Sequence, residues 1–137
     1  AILCEIAEEA AIDILVESVC AAEGNFLTTM SEALFLVRSL SLPNLYMVYD
    51  IYHSAMMGED PAVVCAACTE YIKTVHLARN VDGKRHYLNG ESQAIYQPHM
   101  EELRRAGDNG EVRVDAFCTN GLAEVLRESL AVMRRLG

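Results

Sequence analysis

The chain has 137 residues, with 11 Lys and Arg against 20 Asp and Glu, and a formal net charge of −9. That charge argues against a nucleic-acid binder and against an anionic membrane surface, both of which are held by surplus Lys and Arg. Apolar residues make up 52% of the chain, enough for a folded core, and no apolar run approaches the ~18 residues that span a bilayer.

Residues 1–11 (AILCEIAEEAA) read as the end of a helix. IDILVE, residues 12–17, is a β-branched run suited to a buried strand. Thr29 with Glu32 makes a capping box for a helix over 30–40, which Pro43-Asn44 ends. LYMVY, 45–49, is the second strand, and Asp60-Pro61 supplies an N-cap and an N1 proline for a helix to 71. YIKTVHL, 71–77, is the third strand, followed by a polar stretch from Ala78 to Glu91. A helix over 92–106 closes on Gly107, and EVRVDA, 111–116, is the fourth strand. The last helix, 120–136, carries Leu122, Val125, Leu126, Leu130, Met133 and Leu136 as one apolar stripe.

Strand and helix thus alternate four times, which predicts an α/β fold with a parallel sheet and helical crossovers. Four βα units make one half-barrel domain over 1–137, half of a (β/α)8 barrel, which needs ~250 residues. Half a barrel has two open sheet edges and one bare face. Either a missing half-barrel covers them or two copies associate; an open four-stranded sandwich of sheet and helices is the alternative. No segment has signal-peptide form, and five Cys are an odd number for a disulfide framework, so the cytoplasm is expected. Cys65 and Cys68 form a CxxC with no second pair at zinc spacing and read as core.

The strands end in Glu17, Asp50, His76 and Asp115. The carboxyl ends of parallel strands form the active face of such folds, so four ionisable groups would share one mouth. Three carboxylates and an imidazole suit Mn²⁺ or Mg²⁺, with Co²⁺ a third candidate, better than a thiolate zinc site. Each residue also has a plain reading, as a helix cap, a salt-bridge partner or a satisfied core histidine. His53, in D-x-x-H after Asp50, lies beside the ion or bonds to loop backbone. Glu23 is a site residue or a solvated loop charge. Arg85 and His86 hold a substrate carboxylate or hydroxyl, or stand exposed in a loop.

ILVES at 14–18, PNLYMVYDIYHSAMMGED at 43–60, TVHLA at 74–78, GKRHYLNGE at 83–91 and VRVDAF at 112–117 resemble the xylose-isomerase-like TIM barrels. The resemblance is to their hydroxypyruvate isomerase and ketose 3-epimerase branch, and it covers the C-terminal half of the barrel. It implies divalent-metal ligands at Glu17, Asp50, His76 and Asp115, and substrate contacts at His53, Glu23 and Arg85. It also implies isomerisation or epimerisation of a small hydroxy-carbonyl compound through an enediolate, with Glu17 and Asp115 moving the proton. Three departures stand out. Asp115 replaces the family's Glu, Tyr87-Leu88-Asn89 stands where Pro-Gly follows the loop Arg, and Cys20-Ala21 replaces Asn-Arg. The rival readings are a non-catalytic half-barrel that keeps its metal site, a nuclease of the same superfamily, which the charge disfavours, and an interaction module without an ion.

Overall fold

The capping residues set most boundaries. In a computed structural model, which describes residues 2–108, 110–117 and 121–137, helix α1 (Ile2–Glu9) ends as Ala11 turns left-handed at φ 54°. Strand β1 (Ile14–Glu17) starts later than expected. The Ile12 N–H still bonds back to Ala7 O, and Ile14 is the first to reach the sheet, through Asn44 O at 2.8 Å. Thr29 caps α2 (Met30–Leu40) by accepting the Glu32 N–H, while Glu32 accepts the Thr28 N–H at 2.6 Å. Strand β2 (Leu45–Asp50) runs straight into a short helix that the periodicity did not reveal, α3 (Ile51–Met56). Asp60 caps α4 (Pro61–Cys68), and a 3₁₀ turn over Thr69–Tyr71 replaces the expected last turn before β3 (Ile72–Leu77).

The stretch expected as a polar loop contains a hairpin, β4 (Arg79–Val81) and β5 (Lys84–His86). Its two-residue turn, Asp82-Gly83, has φ of 52° and 75°, the double positive-φ geometry that suits Asp-Gly. Helix α5 (Ser92–Arg105) follows, then β6 (Glu111–Val114) and α6 (Leu122–Leu136). Ala1, residue 120 of the last expected helix and the fifth cysteine, Cys118, lie outside the described residues.

Strands β1, β2, β3 and β6 form one parallel sheet in that order, as the alternation predicts. Parallel strands need crossovers, and the helices supply them on one face. Ile14, Val16, Met47, Tyr49, Val75, Leu77, Val112 and Val114 pack into that helical core with Met30, Val37, Val64, Cys65, Cys68 and Leu103. Side chains alternate across a strand, so their neighbours Glu17, Asp50, His76 and Asp115 take the opposite face.

The stripe expected on α6 is corrected. Its fully buried residues are Ser129, Val132 and Leu136, whereas Leu122, Leu126 and Leu130 are 53%, 39% and 50% exposed. The sheet ends at β6, so only one flank of α6 meets α5 and the strands. Ile2, Leu3 and Ile6 of α1 are exposed at the other sheet edge. Among the described residues no helix is long and apolar enough to cross a membrane.

Asn44 ties the first helix to the sheet. It is buried, and its side-chain amide donates to Cys4 O at 2.8 Å and to Ile12 O at 3.2 Å. Asn44→Ala is expected to cost about 1–3 kcal/mol, read from urea denaturation, because a buried carbonyl and a part-buried one lose their donor.

Candidate metal centre

Register brings the four strand ends together. Asp50 stands opposite His76, Glu17 opposite Val48, and the Asp115 N–H continues the ladder to Leu77 O at 3.0 Å. One ligand atom each from Glu17, Asp50, His76 and Asp115 lies within 4.8 Å of the others. His76 Nδ1 is 3.1 Å from Glu17 Oε1 and 4.0 Å from Asp50 Oδ2.

Asp50 caps a helix, one of the plain readings that the sequence offered for it. Its Oδ1 accepts the His53 N–H at 3.2 Å and so caps α3. Its Oδ2 is buried with no hydrogen-bond partner among the described residues. A buried carboxylate oxygen without a donor is costly, and a divalent cation on that oxygen would remove the cost. Three carboxylates and one imidazole in this arrangement fit a hard or borderline divalent ion.

The titration of the cluster follows from burial and pairing. Burial pushes the Asp50 carboxyl up to about 7, the His53 backbone N–H opposes this, and the Glu17 charge adds to it. The hydrogen bond with His76 holds Glu17 below the usual carboxylate range. The same bond raises His76 above an ordinary histidine.

His53 takes the plainer of its two sequence readings, a bond to loop backbone, and its ring adjoins the carboxylate cluster. The ring is buried, and its Nδ1 accepts the Cys20 N–H at 3.2 Å. Burial depresses its pKa, so the ring is neutral and carries its proton on Nε2. That nitrogen is 4.0 Å from Asp50 Oδ2 and adjoins the cluster as a donor.

Arg85 is held on β5 rather than in an open loop, with its side chain 15% exposed. One guanidinium nitrogen donates to Asp115 Oδ2 at 2.5 Å and another to Glu23 Oε2 at 2.7 Å. The guanidinium also lies 5.7 Å from the rings of Tyr52 and Phe117. Tyr52 donates its hydroxyl proton to Gly83 O at 2.9 Å and ties the hairpin turn to α3. Glu23 is therefore an ion-paired rim residue, and its carboxylate also gathers with Cys20 and His53. His86 is half-buried and stands opposite Arg79 in the hairpin.

The hairpin and Tyr52 were missed at the sequence level. The signal for the first was present, since Asp82-Gly83 between Val81 and Lys84 is a two-residue hairpin turn.

A family model described as Xylose isomerase-like TIM barrel matches residues 1–136. A ketose 3-epimerase from Arthrobacter globiformis is 28% identical over 130 residues, 95% of this chain and 44% of that protein. Among solved structures, the 3-keto-D-glucoside 4-epimerase YcjR from E. coli superposes with a TM-score of 0.83 at 20% identity, over 98% of this chain and 50% of the other. The IolI protein with a bound zinc atom gives a TM-score of 0.78 at 19% identity, over 98% and 52%. The chain spans about half the length of the curated relative it matches, and its sheet and helices correspond to half of a TIM barrel.

The Asp50 carboxyl has a consequence for stability. Folded and without metal it keeps its proton to about pH 7, whereas an unfolded Asp releases it near 4. Between those values the folded state binds more protons, so this group's contribution to stability falls as pH rises. Asp50→Asn keeps an acceptor for the cap and removes the buried charge. In thermal melts the metal-free variant should exceed wild type at about pH 7.5 and match it near pH 4. Equal melting temperatures at both pH values would count against a strained Asp50.

Proposed function

The chain belongs to the xylose isomerase-like TIM barrel family, and from that premise we propose that it forms the C-terminal half of a barrel that isomerises or epimerises a small hydroxy-carbonyl compound with a divalent metal ion. The observation that carries this reading is the convergence of Glu17, Asp50, His76 and Asp115 at adjacent strand ends, with Asp50 Oδ2 buried and unpartnered. Those four residues would hold the ion, Mn²⁺ or Mg²⁺ with Co²⁺ as a third candidate. When bound, the ion supplies Lewis-acid polarisation of the substrate carbonyl and stabilises the negative charge that develops on oxygen.

The chain's own groups do the rest. Glu17 is a strand-end carboxylate kept deprotonated by its bond to His76, and it removes the proton from the carbon beside the carbonyl. Asp115, across the sheet, returns a proton that it takes up from solvent, and Glu17 releases the one it removed to solvent before the next turnover. Asp115 is one methylene shorter than the family's Glu, and Arg85 holds its Oδ2. Asp115→Glu should therefore improve proton return. His53 Nε2–H donates to a substrate oxygen, while Arg85 and Glu23 on the rim orient the substrate hydroxyls or carboxylate.

Hydroxypyruvate and ketoses are the substrate classes that match this chemistry. The opposite wall of the pocket comes from a second half-barrel, supplied by another stretch of chain or by a second copy. The exposed Ile2, Leu3 and Ile6 at one edge and Leu122, Leu126 and Leu130 at the other support such a partner. Burial pushes the Cys65 and Cys68 thiols up to about 12 and about 11, which supports an inert core pair.

Solvent exchange tests the proton step. With Mn²⁺ present, the chain should exchange the α-proton of hydroxypyruvate or a ketose with D₂O, followed by NMR. Glu17→Gln should slow that exchange by at least ~10²-fold while retaining the wild-type circular dichroism spectrum. Wild-type exchange no faster than Mn²⁺ alone, in the chain and in a complete barrel carrying it, would overturn the proposal.

A further inference from the structure

The hairpin has two faces with different charge environments. Cross-strand partners share a face, so Arg79 opposite His86 and Val81 opposite Lys84 lie together, whereas Asn80 and Arg85 take the other side. Arg85 is fully engaged there by Asp115 and Glu23. Arg79 and Lys84 form no ion pair among the described residues, and Arg79 Nε is buried without a partner. Three of the chain's 11 Lys and Arg thus fall between residues 79 and 85, in a molecule of net charge −9. Cations gathered on one face of a two-stranded ribbon repel each other, and an anion placed between them relieves that repulsion.

A cavity of about 590 Å³ lies against this hairpin. Arg79, Lys84 and His86 line it from β4 and β5, and Phe117, Val125 and Glu128 line it from the β6–α6 side. Arg85 and Glu23 border both the cavity and the carboxylate cluster, so the two spaces adjoin. The acidic groups on its wall are Glu23, already paired with Arg85, and Glu128.

We propose that this cavity is an anion subsite in which Arg79, supported by Lys84 and His86, takes a carboxylate or phosphate carried by the substrate. The inference rests on the proposed function for the identity of the ligand, but not for the existence of the subsite. It narrows the substrate class to sugar acids, keto acids or phosphorylated sugars over neutral sugars. Arg is suited to this task because its fork meets two oxygens of a carboxylate or phosphate at once.

The probes are inorganic phosphate and glycerate, added to the metal-free chain at low ionic strength and followed by titration calorimetry. At least one should bind stoichiometrically, and Arg79→Gln should weaken that binding about tenfold. Lys84→Gln, at an exposed position that leaves folding intact, should weaken it in the same direction. Binding of phosphate alone would assign a phosphorylated substrate, and binding of glycerate a carboxylate. Asp50→Asn, which removes a cation ligand, should retain anion binding, and Arg79→Gln should retain stabilisation by Mn²⁺, so each site is read independently of the other. Binding of neither anion, or binding unchanged in both Arg79→Gln and Lys84→Gln, would overturn the subsite.

Discussion

The structure depends on one geometric constraint, the alternation of side chains along four parallel strands, which a register shift between Met47 and Val48 in the β2–β3 pairing leaves intact at the strand ends. Hydrophobic burial fixes one parity, since Val16, Tyr49, Val75 and Val114 must face the helices. The other parity then carries Glu17, Asp50, His76 and Asp115 to one face and one end. A one-residue slip in any strand would exchange a core residue for a charged one. The same apolar packing that holds the sheet therefore positions the polar cluster.

That cluster is electrostatically expensive until something cationic shares it. Asp50 is the centre of the expense, because its Oδ2 is buried between Glu17 and two histidines with no hydrogen bond to it among the described residues. His76 relieves Glu17, and Arg85 relieves Asp115 and Glu23 from the rim. The arrangement leaves the innermost oxygen unpartnered among the described residues and gives the outer ones to protein groups. Strain of this kind is a common mark of functional sites, where stability is traded for reactivity.

Much of this was legible in the residues. Thr29 with Glu32 and Asp60 with Pro61 announced their helices because capping is local chemistry. The β-branched runs announced the parallel strands, and the polar residue closing each run announced the mouth. What was hidden depends on longer range or on shorter elements. Helix α3 has six residues, too few for a helical period to emerge, so the helix that Asp50 caps was hidden although a cap was among its plain readings. The start of β1 slipped because Ile12 is apolar yet still bonded to the preceding turn. The α6 stripe looked like a core face because hydrophobicity alone does not reveal that the sheet stops at β6. The Arg85–Asp115 pair joins residues 30 apart through a hairpin whose Asp-Gly signal was read as loop.

The central claim is that these four side chains share one divalent ion, and an anomalous difference map from crystals soaked in Mn²⁺ tests it most directly. The account predicts a single strong peak bounded by Glu17, Asp50, His76 and Asp115, with Asp50 Oδ2 in direct coordination. An empty map at that mouth, or manganese bound only elsewhere on the acidic surface, would contradict it.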